Sequence, residues 1–171
     1  MFSTAAFANM IRKTYTMPEG NSPLLCWDII QMYRAASTHL HRDLAGLKSI
    51  ESNKKWFLSL DFGAILQNEF TIVITDIEQK IEWVSSSFQQ MTGYSKGEAI
   101  GKNPNFLQGP NTDREQFAFL KVQIAARQKT ATKVVNYRKN GNDYICQVEI
   151  IPMLNRKGEL VNFLAIEKEV K

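Results

Sequence analysis

The feature that most constrains this chain is a change of hydrophobic period near residue 70. Before it, Leu25, Ile29, Met32, Ala36, Leu40, Leu44 and Leu47 recur at steps of three and four, the spacing that lines up one face of an α-helix. Ser22-Pro23 supplies a start signal, a capping hydroxyl followed by proline at the first helical position. The stripe covers about 25 residues, close to 40 Å of helix, and a helix that long must lie against something. The polar run Glu51-Ser52-Asn53 reads as its break. A second apolar cluster, Trp56, Phe57, Leu60, Phe62, Ile65 and Leu66, reads as a shorter helix or two.

Beyond residue 70, β-branched runs alternate with turn signals. Thr71 to Asp76 and Ile81 to Val84 read as strands joined by Ile77-Glu78-Gln79-Lys80. Helical segments are expected from Ser86 to Thr92 and Lys96 to Ile100, then a turn-rich stretch from Gly101 to Pro110. A longer helix is expected from Thr112, as its cap, to about Gln128, with Phe117, Leu120 and Ile124 on one face. Three strands close the chain, Ala131 to Arg138, Asp143 to Met153 and Leu160 to Glu169, with Asn140-Gly141 as a hairpin turn. The fold class is α+β: a five-stranded antiparallel sheet with helices on one face, plus an N-terminal helical extension. The expected division is 1–21 as a flexible segment, 22–69 as the helical extension and 70–171 as the domain.

Charge excludes some functions. The formal charge of +4 divides into 7 basic and 6 acidic residues up to residue 70, and 14 basic and 11 acidic beyond it. The basic residues are scattered among acids rather than gathered on one stripe, which argues against nucleic-acid binding. No stretch reaches the ~20 apolar residues of a membrane span, and the N-terminus lacks the order of a secretory signal. Cys26 and Cys146 lie too far apart in sequence for a metal-binding pair, so a reducing cytoplasm is the expected setting. His39 and His41 sit two apart on a helix and face different directions. No nucleophile, base and orienter set stands out, and no enzyme is expected.

A longer pattern then narrows the reading. Gly101-Lys102-Asn103-Pro104-Asn105-Phe106-Leu107-Gln108-Gly109-Pro110-Asn111-Thr112-Asp113-Arg114 resembles GxNCRFLQGPxTDR, the flavin-binding signature of the light-oxygen-voltage (LOV) subtype of PAS domains. Phe88 to Ser95 resembles the family's helix and turn, and Val135-Asn136-Tyr137-Arg138-Lys139-Asn140-Gly141 resembles its hairpin. The resemblance covers about residues 70 to 169, in the manner of a stand-alone short bacterial form.

The resemblance implies a PAS fold and a flavin pocket formed by Asn103, Gln108, Arg114, Asn136, Cys146 and Glu167. It also exposes departures. The family's cysteine, which bonds to the flavin under blue light, aligns with Pro104, which has no nucleophile. The family's phosphate-holding arginine aligns with Asn105, leaving Arg114 as the aligned cation. An asparagine that reads the ring edge aligns with Cys146, and a glutamine aligns with Glu167. These departures imply no tightly bound cofactor; FMN or FAD is the alternative. Gln108 and Asn136 equally suit a purely structural role, and Cys146 suits a small buried hydrophobe. Gly101, Gly109 and Gly141 read as turn glycines.

Glu167 continues the face of Val161, Phe163 and Ala165, while Leu160, Leu164 and Ile166 occupy the opposite face. Both faces of this strand therefore need cover. The helix bearing Leu25, Ile29, Met32 and Leu40 is the candidate, in its own chain or in a homodimer or other protein partner. The expected function is a sensory, signalling or scaffold PAS module acting by association. Two alternatives stand beside it: a cysteine-less flavin sensor working by photoreduction, and a structural subunit of a larger complex.

Overall fold

The computed structural model describes the backbone of residues 23–170 and the side chains of residues 37–170. The expected N-terminal segment at 1–21 lies outside the described residues, as do the side chains of Leu25, Ile29 and Met32. The chain forms two units, Met1–Ala36 and Ser37–Lys171, and everything below concerns the second.

Five strands, β1 (Thr71–Thr75), β2 (Ile81–Val84), β3 (Thr130–Tyr137), β4 (Asp143–Leu154) and β5 (Leu160–Val170), form one sheet in the order β2-β1-β5-β4-β3. Every pairing is antiparallel. The first strand and the last lie side by side, with Ile72 opposite Ile166 and Ile74 opposite Leu164. Because side chains alternate along a strand, β5 sends Leu164 and Ile166 to one face and Phe163, Ala165 and Glu167 to the other, the alternation read from the sequence.

Helix α1 (Pro23–Lys54) and the short α2 (Phe62–Gln67) supply one cover. Leu47, with no exposure, packs in one cluster with Trp56, Phe62, Ile72, Ile74, Trp83, Met153 and Leu164, and Leu44, Ile50 and Ile166 lean on it. The choice the sequence left open is thereby made for residues 37–54, which lie on their own sheet. Leu164 is fully buried, and Leu40, Leu160 and Ile166 are half-buried.

On the other face lie α3 (Ser87–Thr92), α4 (Lys96–Ala99), a 3-10 turn (Pro104–Leu107) and α5 (Arg114–Ala125). Phe88, Ala99 and Leu107 pack there against Val73 and Val84.

Two helix ends differ from expectation for one physical reason. Helix α1 runs through Glu51-Ser52-Asn53 and stops where Lys55 turns left-handed, at φ 53°. There the Lys55 N–H donates to the Ser52 carbonyl and the Trp56 N–H to that of Glu51. Helix α5 ends identically: Arg127 has φ 55°, its N–H donates to Ile124, and that of Gln128 donates to Gln123. Both are Schellman endings, which glycine usually marks; here a long basic residue takes the place, so no sequence cue points to them.

The start of α5 also differs. Asp113, not Thr112, is the cap: its Oδ1 accepts from the N–H groups of Glu115 (2.8 Å) and Gln116 (3.2 Å). The Thr112 hydroxyl instead donates to the Val135 carbonyl at 2.6 Å and accepts from the Gly109 N–H at 3.0 Å, tying the preceding loop to β3. Gly109 is required by close approach, because a Cβ there would lie 2.3 Å from the Tyr137 ring. Gly101 and Gly141 do occupy the left-handed region, at φ 81° and 88°.

Candidate functional site

Between the sheet and α5 lies a cavity of about 100 Å³. Its walls come from Val73 and Thr75 on β1, Val148 and Ile150 on β4, Phe163 and Ala165 on β5, Leu107 in the 3-10 turn, and Phe117, Leu120 and Ile124 on α5. They are predominantly apolar because each element turns its inward-facing alternate or every-third-or-fourth residue toward the same space.

Into this apolar shell come the candidate polar residues. Asn103, Gln108, Asn136, Cys146 and Glu167 all line the cavity. The Asn103 Oδ1 accepts from the Asn105 N–H at 3.0 Å and so caps the 3-10 turn, a local duty that positions Pro104 at the wall. Gln108 donates through Nε2 to the Asn105 Oδ1 at 3.4 Å. Asn136 is buried on β3 and paired in register with Tyr144 on β4.

Arg114 does not belong to this set. It is exposed and opens α5 one turn ahead of Phe117, the first residue of that helix at the cavity. The cation that does line the cavity is Lys121, missed in the sequence. Its Nζ lies 4.7 Å from the Phe117 ring centroid, and the helical step of four from Phe117 is the signal that would have found it.

Cys146 and Glu167 form the deepest polar feature. Cys146 is fully buried, Glu167 is 8% exposed, and the Cys146 Sγ lies 3.9 Å from the Glu167 Oε2. Burial pushes the Glu167 carboxyl up to about 7, opposed weakly by the thiol. Burial, then the neighbouring carboxylate, pushes the Cys146 thiol well above its ordinary range. The Tyr144 phenol is raised for the same two reasons. A thiol so placed stays protonated and inert.

For a flavin the lining is a partial match: Gln108 and Asn136 keep polar groups at the wall, while Glu167 stands where the family has a glutamine. The wall position aligned with the family's reactive cysteine is Pro104, and the lining cation is a single exposed lysine. Among the described residues no cluster of three or more His, Cys, Asp or Glu could hold a metal ion.

The architecture is a five-stranded antiparallel sheet with a helix-walled cavity on one face. A model of the PAS domain family matches residues 69–171, and the chain belongs to that family. Its relatives include blue-light receptors and also a nitrogen fixation regulatory protein of Klebsiella oxytoca, 30% identical over 111 residues, 65% of this chain and 22% of that protein. A blue-light photoreceptor of Listeria innocua is 41% identical over 104 residues, 58% of this chain and 40% of that protein. A blue-light-activated histidine kinase of Brucella anthropi is 33% identical over 93 residues, covering 54% of this chain and 19% of the kinase. The LOV domain of a blue-light activated histidine kinase from Erythrobacter litoralis superposes with a TM-score of 0.56 at 29% identity, over 59% of this chain and 95% of that domain. A LOV domain whose mechanism was studied with a flavin analogue gives a TM-score of 0.60 at 30% identity, over 63% of this chain and 82% of that one. The chain spans 40% or less of these three curated relatives' lengths. It is thus a PAS sensory module with LOV homologues. Among the described residues no helix is long and apolar enough to cross a membrane.

Proposed function

We propose that this chain is a PAS signalling module that responds to the content of its inner cavity without cysteinyl-flavin chemistry, and that acts on other proteins by association rather than by catalysis. One observation carries the reading: neither cavity-lining residue that bears on adduct formation can supply a thiolate. Pro104 has no sulfur, and burial, with the Glu167 carboxyl beside it, keeps the Cys146 thiol protonated.

A chain of bonds supports an output through α1. Thr75 lines the cavity, and its carbonyl accepts from the Asn162 Nδ2 at 2.9 Å. The Asn162 Oδ1 accepts from the Trp56 indole N–H at 3.2 Å, two residues beyond the end of α1. A shift of β1 at the cavity therefore alters bonds at the foot of the helix. Coupling of this kind needs an element with two arrangements, and in this reading α1 is that element, its displacement changing what the module associates with.

The test is absorption of the purified chain before and after blue light, with sedimentation over a range of concentrations. The expected result is no light-driven thioether product and self-association or binding of a partner protein. A yellow preparation that bleaches into a covalent flavin species would overturn the first half. A strict monomer that binds no other protein would overturn the second.

A further inference from the structure

We infer that the outer face of α5 is a contact between two copies of this chain, the two helices packing antiparallel about a two-fold axis at Val122. This names one surface for the association proposed above and rests on that reading.

The first argument is the pattern of the face. Phe117, Leu120 and Ile124 turn toward the cavity. On the other side Ala118, Phe119, Val122 and Ala125 are exposed, Phe119 at 57% and Val122 at 62%, and Ala126 follows, also exposed, at the helix end. Steps of three and four keep these residues on one stripe. Scattered exposed apolar residues are ordinary, whereas a contiguous apolar stripe marks a contact surface.

The second argument is symmetry, and it selects a second copy as the occupant. The apolar positions stand three and four residues from Val122 in both directions. A two-fold contact requires a surface that fits itself. In an antiparallel pair centred on Val122, that residue meets its own counterpart, Ala118 meets Ala126 of the second copy, and Phe119 meets Ala125. A large ring thus faces a small residue on each side of the axis. Ala125 also shares with Ile77, Leu160 and Val161 the lining of a groove beside the helix, which gives the incoming ring an apolar seat. An unrelated protein would have no reason to repeat a pattern symmetric about its own centre.

The third argument is charge. Glu115 continues the stripe one turn before Ala118, and Arg127 and Lys129 follow its opposite end; all three are exposed. Lys129 is paired with Glu149 of its own chain, so Arg127 is the cation that Glu115 of the second copy would meet. Antiparallel packing makes this pair twice, once at each end, whereas parallel packing would set Glu115 beside Glu115 and Phe119 beside Phe119.

The experiment is sedimentation velocity of the full chain. A contact this small is weak, so wild type should dimerise with half-dissociation on the order of 10 to 100 µM. Phe119→Asp should weaken the dimer by about tenfold or more. Glu115→Lys should weaken it about threefold, and adding Arg127→Glu should restore it. All of these positions are exposed, so the changes leave the core packing untouched, and an unaltered thermal midpoint checks this. In a Cys26→Ser background, Val122→Cys should form a disulfide between copies under mild oxidation about tenfold faster than Gln116→Cys, an exposed position to one side of the stripe. Equal rates at the two positions, or no restoration by the charge swap, would overturn the antiparallel contact. A dimer indifferent to Phe119→Asp would overturn this surface while the association reading stands, because another face must then hold the copies. A wild type that stays monomeric yet binds another protein would do the same.

Discussion

The two faces of the sheet are built on opposite terms. On the α1 side, Leu47, Ile72, Ile74, Met153 and Leu164 have no exposure. The buried amide among them is fully used: the Asn162 Oδ1 accepts from Trp56, and its Nδ2 donates to the Thr75 carbonyl and to the Glu82 Oε2 at 2.8 Å. On the α5 side, a cavity stays open and Glu167 keeps acceptor sites without protein donors. Filling a space and satisfying every polar group stabilises a fold. The closed face is where packing stabilises the fold, and substitutions on the two faces should act with opposite sign on stability.

Leu47→Ala strikes the closed face hardest. It removes a fully buried side chain at the centre of the cluster, and cavity formation of that kind costs about 3 to 5 kcal/mol. Urea unfolding should show the loss. A loss under about 1 kcal/mol would mean that α1 is loosely seated and that the faces differ less than described.

Glu167→Gln should act with the opposite sign. The folded carboxyl titrates at about 7 against an ordinary 4.5, so the folded state holds its proton more tightly than the unfolded chain. Stability from this group is therefore full below about pH 4.5 and lost as pH rises to about 7. A shift of that size is worth on the order of 3 kcal/mol. Unfolding measured at several pH values should show the variant gaining on wild type across that window and keeping the gain above it. Parallel curves would place the carboxyl in a wetter setting than its burial implies.

How much of this was legible in the sequence follows the same division. The alternation of Leu164 and Ile166 against Phe163 and Glu167 follows from strand period alone, and it correctly demanded cover on both faces. Asn103, Gln108 and Asn136 line the cavity from within the quoted motifs, and Cys146 and Glu167 do so from strands whose alternation turns them to the same face. Arg114, expected as the aligned phosphate cation, is exposed and does not line the cavity, whereas Lys121, also exposed, reaches the lining by its spacing from Phe117. The ends of α1 and α5 were illegible because Lys55 and Arg127 adopt a backbone that glycine usually announces. The tie between α1 and the α5-side helices was also hidden: Asp43 reads as one polar residue in a solvated stripe, and its partner lies 43 positions away.

That tie yields the smallest of the three effects and the finest probe. Asp43 is 8% exposed; its Oδ2 accepts from the Ser86 N–H at 2.8 Å and its Oδ1 from the Ser86 hydroxyl at 3.0 Å. Ser86 immediately precedes α3, so the carboxylate of one face's helix satisfies a backbone donor of the other's. Asp43→Ala removes the acceptor of a part-buried N–H and of the Ser86 hydroxyl, a cost of about 1 kcal/mol, while Asp43→Asn keeps an acceptor and should recover about half. If α1 is the element that moves on signalling, Asp43→Ala should also raise amide hydrogen exchange along residues 37–54 more than in the β4–β5 hairpin. Uniform acceleration throughout would show that the bond only adds to global stability, and the closed face would then have no independent freedom with which to report on the open one.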